Sequence, residues 1–340
     1  FNIGALTGLS ETEYDQLEPI QWPVTPESPT GTQRLFLDGH FPTPSGKAQF
    51  ISSAAELPRQ SLSDQFPLVL NSGRIRDQWH TMTRTGRTAR LFDHIEQPFV
   101  AMHPETALAY NLKADDLARV TTAQADLELC VTTDEGLKPN QLFIPIHWNN
   151  QFAKRARVDS LVAPIIDAVS GQPEFKFTPA TIAKIDVPCW AVLVSRTKIN
   201  CEPFINWSLS PLENNQGYLY QVALTENFNW QDFIALKRLI EQGPAQAYEH
   251  YADGAACDER FICYSDQQIE LAIFTHADNS KLPGRTWLQR LFDEQVDGNY
   301  WSLIASSSKP DQGKLICSRF KVSEKTIVEA IEGGACSAAQ

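Results

Sequence analysis

The feature that most restricts the fold is a succession of short apolar segments between residues 67 and 194, separated by polar turns. In the segment 127–133, Leu127, Leu129 and Val131 alternate with more polar residues, the period of two that half-buried strands show. One helix is predicted among them at 103–111, because Pro104 suits a first helical turn. Many short strands with few helices favour a closed β-barrel. The predicted strands cover 68–70, 99–101, 117–122, 127–133, 142–147, 181–187 and 191–194.

The chain on either side of these segments has a different character. Residues 1–66 are rich in proline and polar residues, so little regular structure is expected apart from a helix at 11–17 capped by Ser10. After residue 201 the pattern predicts a small α+β module, for which spacing alone indicates no chemistry. Its predicted elements are helices at 229–243 and 283–295 and strands at 260–264 and 268–274.

Residues 71–90, here called the arginine-rich loop, carry five arginines and one aspartate. Gly73 allows the backbone to approach a ligand closely, and arginine side chains match phosphate oxygens in bidentate fashion. Hydroxyl groups from Ser72 and several threonines add hydrogen-bond donors. A solvated basic loop is the alternative, but Trp79 and His80 favour a pocket that stacks and hydrogen-bonds a heterocycle. The loop therefore predicts a phosphorylated ligand.

Charge and cysteine content exclude several classes of function. A net charge of −12 argues against nucleic acid as the main partner, because phosphate backbones require widespread basic residues. No apolar run reaches the roughly 18 residues of a membrane span, and the start has no signal peptide pattern. Seven cysteines without a C-x-x-C motif predict reduced thiols in the cytoplasm and no metal site. No catalytic residue is predicted.

The arginine-rich loop also carries a family resemblance. Its sequences SGR at 72–74 and WHTMTR at 79–84 resemble the phosphate-binding loop of molybdopterin-dependent oxidoreductases, the family of nitrate reductases and formate dehydrogenases. Further stretches, in the same order, are similar to assimilatory nitrate reductase catalytic subunits. They are TGLSE at 7–11, QWPV at 21–24, FPTPSGKAQF at 41–50, IPIHWNN at 144–150, RVDSLV at 157–162 and SGQPEFK at 170–176.

The resemblance implies a mainly β protein with four parts. These are a connecting segment at 1–66, a six-stranded double-psi β-barrel that binds the molybdopterin dinucleotide at 67–195, the α+β module at 196–310, and a truncated ferredoxin-like 2Fe–2S motif at 311–340. The implied cofactor is bis-molybdopterin guanine dinucleotide. The residues that the resemblance assigns to it are Ser72, Gly73, Arg74, Gln78, Trp79, His80, Thr81, Thr83, Arg84, His147, Asn149 and Lys176.

The tail departs from the family pattern. A strand ending at Cys317 and a Ser-capped helix at 322–331 look like the first half of a 2Fe–2S motif, in which the strand carries Cys-x-Cys. Here Arg319 stands in place of the second cysteine, and no second pair follows Cys336. Since a cluster needs four ligands, none is expected in this chain, although the resemblance implies iron–sulfur clusters in the parent enzyme.

The function that the resemblance implies is nitrate reduction to nitrite in nitrate assimilation, in the cytoplasm. The chain begins without methionine, so it is expected to be a C-terminal fragment that is inactive alone. Expected partners are the upstream catalytic domains of the same polypeptide and an electron donor, which is a ferredoxin, a flavodoxin or an NADH-dependent reductase subunit. Two alternatives stay open: part of a formate dehydrogenase, and a non-catalytic nucleotide-binding or docking module.

Overall fold

The structure is a computed structural model of the whole chain, and it describes residues 2–52, 56–226, 228–234, 247–253, 257–265, 268–293, 315–317, 322–334 and 337. The chain divides into two compact units, Phe1–Leu57 and Pro58–Gln340. No helix in these described ranges is both long enough and apolar enough to cross a membrane.

The first unit contains little regular structure. Its helix α1 (Glu11–Asp15) begins as predicted at Ser10, whose Oγ accepts from the backbone N–H of Glu13 at 3.3 Å. The Glu13 carboxylate accepts in return from the Ser10 backbone N–H at 2.8 Å. This reciprocal capping box satisfies donors that a helix start leaves without intrahelical partners, and it confirms the predicted cap.

Six strands of the second unit close into a barrel, which confirms the predicted fold class. β1 pairs with β5 and β2 pairs with β4 in parallel, and the other neighbours are antiparallel. Parallel neighbours need long crossover connections, and the 25 positions between β1 and β2 contain most of the arginine-rich loop. The strands, in the order β1-β5-β2-β4-β3-β6, are β1 (Leu68–Gly73), β2 (Phe99–Met102), β3 (Leu117–Thr121), β4 (Asp126–Thr133), β5 (Gln141–Pro145) and β6 (Thr178–Ile185).

The barrel core extends into the loops beside it. Leu70 and Leu142 from adjacent strands share one buried apolar cluster with Met82 and Phe92 of the loop region and with Trp148. Removing such large side chains from water is the dominant favourable term in folding. The predicted helix is present as α2 (Pro104–Ala109). The loop that carries the candidate site is therefore anchored by its own apolar residues.

A second sheet of six antiparallel strands follows, in the order β10-β11-β12-β7-β9-β8. The prediction grouped residues 191–194 with the barrel, whereas the structure pairs this strand with β9 and β12. β6 ends at Ile185, and Pro188 has no N–H with which to continue the β6 ladder. The strands are β7 (Cys189–Ser195), β8 (Asn206–Pro211), β9 (Tyr218–Leu224), β10 (Ala247–Asp253), β11 (Asp258–Ser265) and β12 (Gln268–His276).

The barrel and the second sheet share a packed interface. Leu117 and Cys130 of the barrel form one buried cluster with Ala223 of β9, against which Trp190 also packs. Both faces of β4 are consequently buried, although its alternating pattern predicted one polar face. Burial raises the pKa of the Cys130 thiol to about 12, so this group stays protonated.

The remaining elements agree in part with expectation. Helix α3 (Arg285–Asp293) follows the predicted apolar stripe, and residues 230–234 form the described start of the predicted helix at 229–243, whose remainder lies outside the described residues. In the tail, β13 (Leu315–Cys317) pairs with β14 (Val322–Ser323), and Ser323 caps α4 (Glu324–Glu332) as predicted. Arg319 and Cys336 lie outside the described residues.

The cysteines differ from expectation at one pair. The prediction of reduced thiols is contradicted at Cys189 and Cys257, which form a disulfide with a Cα–Cα distance of 5.9 Å. That spacing lies in the usual range for the bond. The partners are 68 positions apart, with Cys189 at the start of β7 and Cys257 just before β11, so no local spacing pattern indicates the pairing.

Candidate functional site

The arginine-rich loop leaves the barrel where two parallel strands end side by side. Gly73, the last residue of β1, pairs with Pro145, the last residue of β5, and the Ile146 N–H donates to Gly73 O at 2.9 Å. A Cβ atom on Gly73 would approach Phe143 Cε2 to 2.7 Å, so the close approach requires glycine. This parallel pair brings the predicted residues after β5 beside the predicted residues after β1.

The buried side chain of His147 holds the arginine-rich loop through two hydrogen bonds to its backbone. Its side chain is fully buried, Nδ1 lies 2.7 Å from His80 O, and Nε2 lies 3.0 Å from the Ile75 backbone nitrogen. Because a carbonyl oxygen only accepts, Nδ1 carries the proton and Nε2 accepts from Ile75 N–H. Burial is the largest influence on the pKa of His147 and lowers it; the bond to His80 O opposes this, and the Arg74 charge adds to it. His147 is therefore neutral and spans the first half of the loop.

Two amide side chains add further bonds. Asn149 Nδ2 donates to Thr81 O at 2.9 Å, and Gln78 Nε2 donates to Leu91 O at 3.0 Å. Gln78 is only 4% exposed. Together with His147, these side chains satisfy backbone groups on the inner side of the loop, which leaves the loop conformation determined before any ligand binds.

The outer side of the loop presents the groups that can meet a ligand. The Arg74 guanidinium lies 5.4 Å from the Trp79 ring centre, and the Trp79 and His80 rings meet edge to face at 4.6 Å. Trp79 is 56% exposed despite its size. His80, Thr81, Thr83 and Arg84 are exposed as well. An exposed indole beside cations and hydroxyl groups is suited to a heterocyclic anion.

The arginines of the loop differ in how they are partnered. Arg76 pairs with Asp77 at 2.9 Å, and Asp77 also lies 2.8 Å from His94 Nδ1. Arg74, Arg84, Arg87 and Arg90 make no ion pair with any residue that the structure describes. The loop thus keeps several positive charges available for an anionic ligand.

A third segment lies against the end of β1. Ser72 is buried, and its Oγ donates to Phe175 O at 3.1 Å, so here the predicted donor hydroxyl bonds a carbonyl. The Lys176 ammonium donates to Ser72 O. All twelve predicted residues thus lie on the loop or on the two segments that contact it. Lys154, which follows the same segment after β5, instead contacts the second sheet: its Nζ donates to Phe204 O at 2.6 Å and its backbone N–H donates to Trp207 O of β8 at 2.9 Å.

Three buried acceptors around the loop have no hydrogen-bond partner among the described residues. They are Asn71 Oδ1, Gln78 Oε1 and Glu174 Oε2. Buried polar atoms are nearly always hydrogen-bonded, so a group of such atoms at a basic loop fits a ligand that supplies N–H donors. Asn71 and Glu174 were not predicted, although each lies within two positions of a predicted residue.

Comparison with known proteins agrees with this geometry. Residues 68–179 match the family described as Molydopterin dinucleotide binding domain. The chain is 33% identical to a nitrate reductase of Klebsiella oxytoca over 98% of its own length and 37% of that protein. It is 34% identical to a nitrate reductase of Shewanella frigidimarina (66% of this chain, 26% of that protein) and 27% identical to the assimilatory nitrate reductase catalytic subunit of Bacillus subtilis (54% and 26%).

The chain thus spans 37% of the length of the Klebsiella oxytoca protein and 26% of the length of each of the other two. Within that part, the matched residues include β1 and β5, the arginine-rich loop, His147 and Lys176. The chain therefore belongs to the molybdopterin oxidoreductase family, and residues 68–179 are its molydopterin dinucleotide binding domain.

Proposed function

We propose that the arginine-rich loop binds the pyrophosphate and guanine part of a bis-molybdopterin guanine dinucleotide in a molybdenum enzyme that reduces nitrate to nitrite for assimilation. The observation that carries this is a basic loop fastened from inside by His147, Asn149 and Gln78 while Arg74 and Trp79 face outward. The names and identities of the relatives support the substrate.

The residues fit such a cofactor. Arg74 and Lys176 flank the end of β1 and supply the positive charge that a pyrophosphate needs. Asn71 Oδ1, Gln78 Oε1 and Glu174 Oε2 are buried acceptors, and both pterin and guanine rings present N–H donors. The cofactor supplies the oxygen-atom transfer and redox chemistry, and the protein supplies binding, orientation and charge.

The wider setting belongs to the same proposal. The remaining catalytic domains belong to the same polypeptide, which works in the cytoplasm and carries iron–sulfur clusters. A ferredoxin, a flavodoxin or an NADH-dependent reductase subunit donates the electrons. The lengths of the relatives support the existence of further domains, because this chain matches only about a third of the Klebsiella oxytoca protein.

The first test is Arg74→Ala in the full-length enzyme. Hydrogen bonds to charged groups contribute about 1.5–3 kcal/mol, so the affinity for the cofactor should fall roughly tenfold or more. We expect the molybdenum and the acid-released guanine nucleotide per chain to drop together. Arg290→Ala is the matched control, because Arg290 is an exposed arginine on α3. Wild-type stoichiometry in Arg74→Ala would sink the proposed role of the loop.

The second test uses the 340-residue chain alone. We expect it to fold, to be colourless and molybdenum-free, and to reduce no nitrate with reduced viologen as donor. Trp79, His80 and Arg84 are exposed, so a ligand on this face would stay largely in water and bind weakly. Calorimetry with GDP distinguishes half of a cofactor site from the alternative, a free-standing nucleotide-binding module. Measurable binding of GDP by this chain would favour the module.

A further inference from the structure

A buried arginine joins the second sheet to the arginine-rich loop. Arg285 begins helix α3 and is 8% exposed. Its Nη1 donates to Ser210 Oγ at 2.7 Å and its Nη2 donates to Pro211 O, both at the end of β8. Its Nε lies 3.4 Å from Asp93 Oδ1, and Nη2 lies 3.4 Å from Ala89 O. One guanidinium therefore contacts the second sheet and the end of the loop together.

Burial of this charge calls for an explanation. Taking a guanidinium and a carboxylate out of water is costly, and a buried ion pair is weak evidence for stability. The best-attested benefit of such a pair is that it selects one arrangement of the groups around it. Only arginine presents donors in a rigid planar fork that can reach several acceptors at once. Arg285 thus fixes the position of residues 89–93 relative to β8.

Residues 89–93 in turn hold the centre of the loop. Ala89–Phe92 form a 3-10 helix, and Leu91 O within it accepts the hydrogen bond from Gln78 Nε2. The adjacent helical turn, Thr85–Arg87, also contributes: Thr85 Oγ1 accepts from the Trp79 backbone N–H at 3.3 Å. A displacement of the 3-10 helix would therefore move Gln78, whose Oε1 is one of the acceptors offered to the ligand.

We infer that Arg285 is a positioning residue for cofactor binding, which acts through the 3-10 helix 89–92 on Gln78. The inference rests on the proposed function of the loop. It also assigns a role to the second sheet and α3, whose residues contain no predicted site: they form the support against which the loop is held. Groups that orient binding residues in this way must themselves be fixed by packing and hydrogen bonds.

The test compares Arg285→Met and Arg285→Lys in the full-length enzyme. Methionine keeps part of the apolar stem and removes the charge, whereas lysine keeps the charge but cannot form the fork. In the methionine variant we expect amide hydrogen exchange at residues 76–93 to become about tenfold faster or more, while strands β2 and β4 keep their protection. Guanine nucleotide and molybdenum per chain should fall, with lysine intermediate. Arg290→Met, on the same helix but exposed, should change neither quantity.

Two results would overturn the inference. Exchange that accelerates equally in the barrel strands and in residues 76–93 would show that Arg285 only stabilises the protein as a whole. Unchanged exchange at 76–93 in both variants would show that the loop does not depend on it. If the methionine variant fails to fold, the lysine variant gives the same comparison. The two hypotheses can also fail separately. If residues 76–93 exchange faster in the variants but the wild-type enzyme holds no guanine nucleotide, the result supports the positioning role and refutes the proposed function.

Discussion

Replacement of His147 by leucine is expected to cause a large loss of stability. In the wild type the imidazole hydrogen-bonds both the Ile75 N–H and the His80 C=O. Leucine can bond neither of them, so both backbone groups lose their partner. A buried group left unsatisfied costs about 1–3 kcal/mol, and two are affected. Urea unfolding of the 340-residue chain measures the change in the free energy of unfolding. His40→Leu, at an exposed histidine, is the matched control.

The same residue predicts a pH dependence. The pKa of His147 in the folded protein is lowered, chiefly by burial, so the folded state binds this proton less readily than the unfolded state. The contribution of His147 to stability is therefore complete above the unfolded pKa, near about 6.5, and is lost as the pH falls below it. The difference in unfolding free energy between pH 7.5 and pH 5.5 should shrink in His147→Leu. A variant that matches His40→Leu in both measurements would contradict the account.

Gly86→Ala is expected to disrupt the helical turn Thr85–Arg87 within the arginine-rich loop. A Cβ atom there would clash with the Phe152 ring, meeting Cε1 at 2.8 Å, and would lie 3.1 Å from the Cβ of buried Met82. Overpacking of a tight core costs about 1–3 kcal/mol. Phe152→Leu removes the outer ring atoms, so the double variant should be more stable than the two single effects predict. Urea unfolding of both singles and the double gives the coupling energy; additive effects would show that the Phe152 ring is not what excludes a side chain at residue 86.

The parts of this molecule that the sequence predicts are those with a local pattern. The apolar stripe of α3 reflects burial of one helix face, which repeats at the period of the helix itself. Ser10 and Ser323 cap their helices through bonds to residues three positions away. Such features need no knowledge of distant parts of the chain, which is why they are confirmed.

The parts that escape prediction depend on distant partners. β8 is an edge strand with the polar residues Asn206, Ser208 and Ser210, so its pairing with β9 leaves a weak local signal. Arg285 and Asp93 meet although 192 positions separate them, and no spacing rule connects them. Of the site, the loop and His147 follow from the family resemblance, whereas the unsatisfied acceptors Asn71 and Glu174 become visible only through burial.

The position of β7 bears on how this protein can exchange parts with its relatives during evolution. The matched family region ends at residue 179, inside β6, yet only three residues separate β6 from a strand that lies in the middle of the neighbouring sheet. A recombination event that joined this barrel to an unrelated sequence would remove the second sheet and so uncover Leu117 and Cys130. Inheritance of the barrel and the sheet as one block avoids this defect, so crossovers that separate the two are expected to yield no stable barrel.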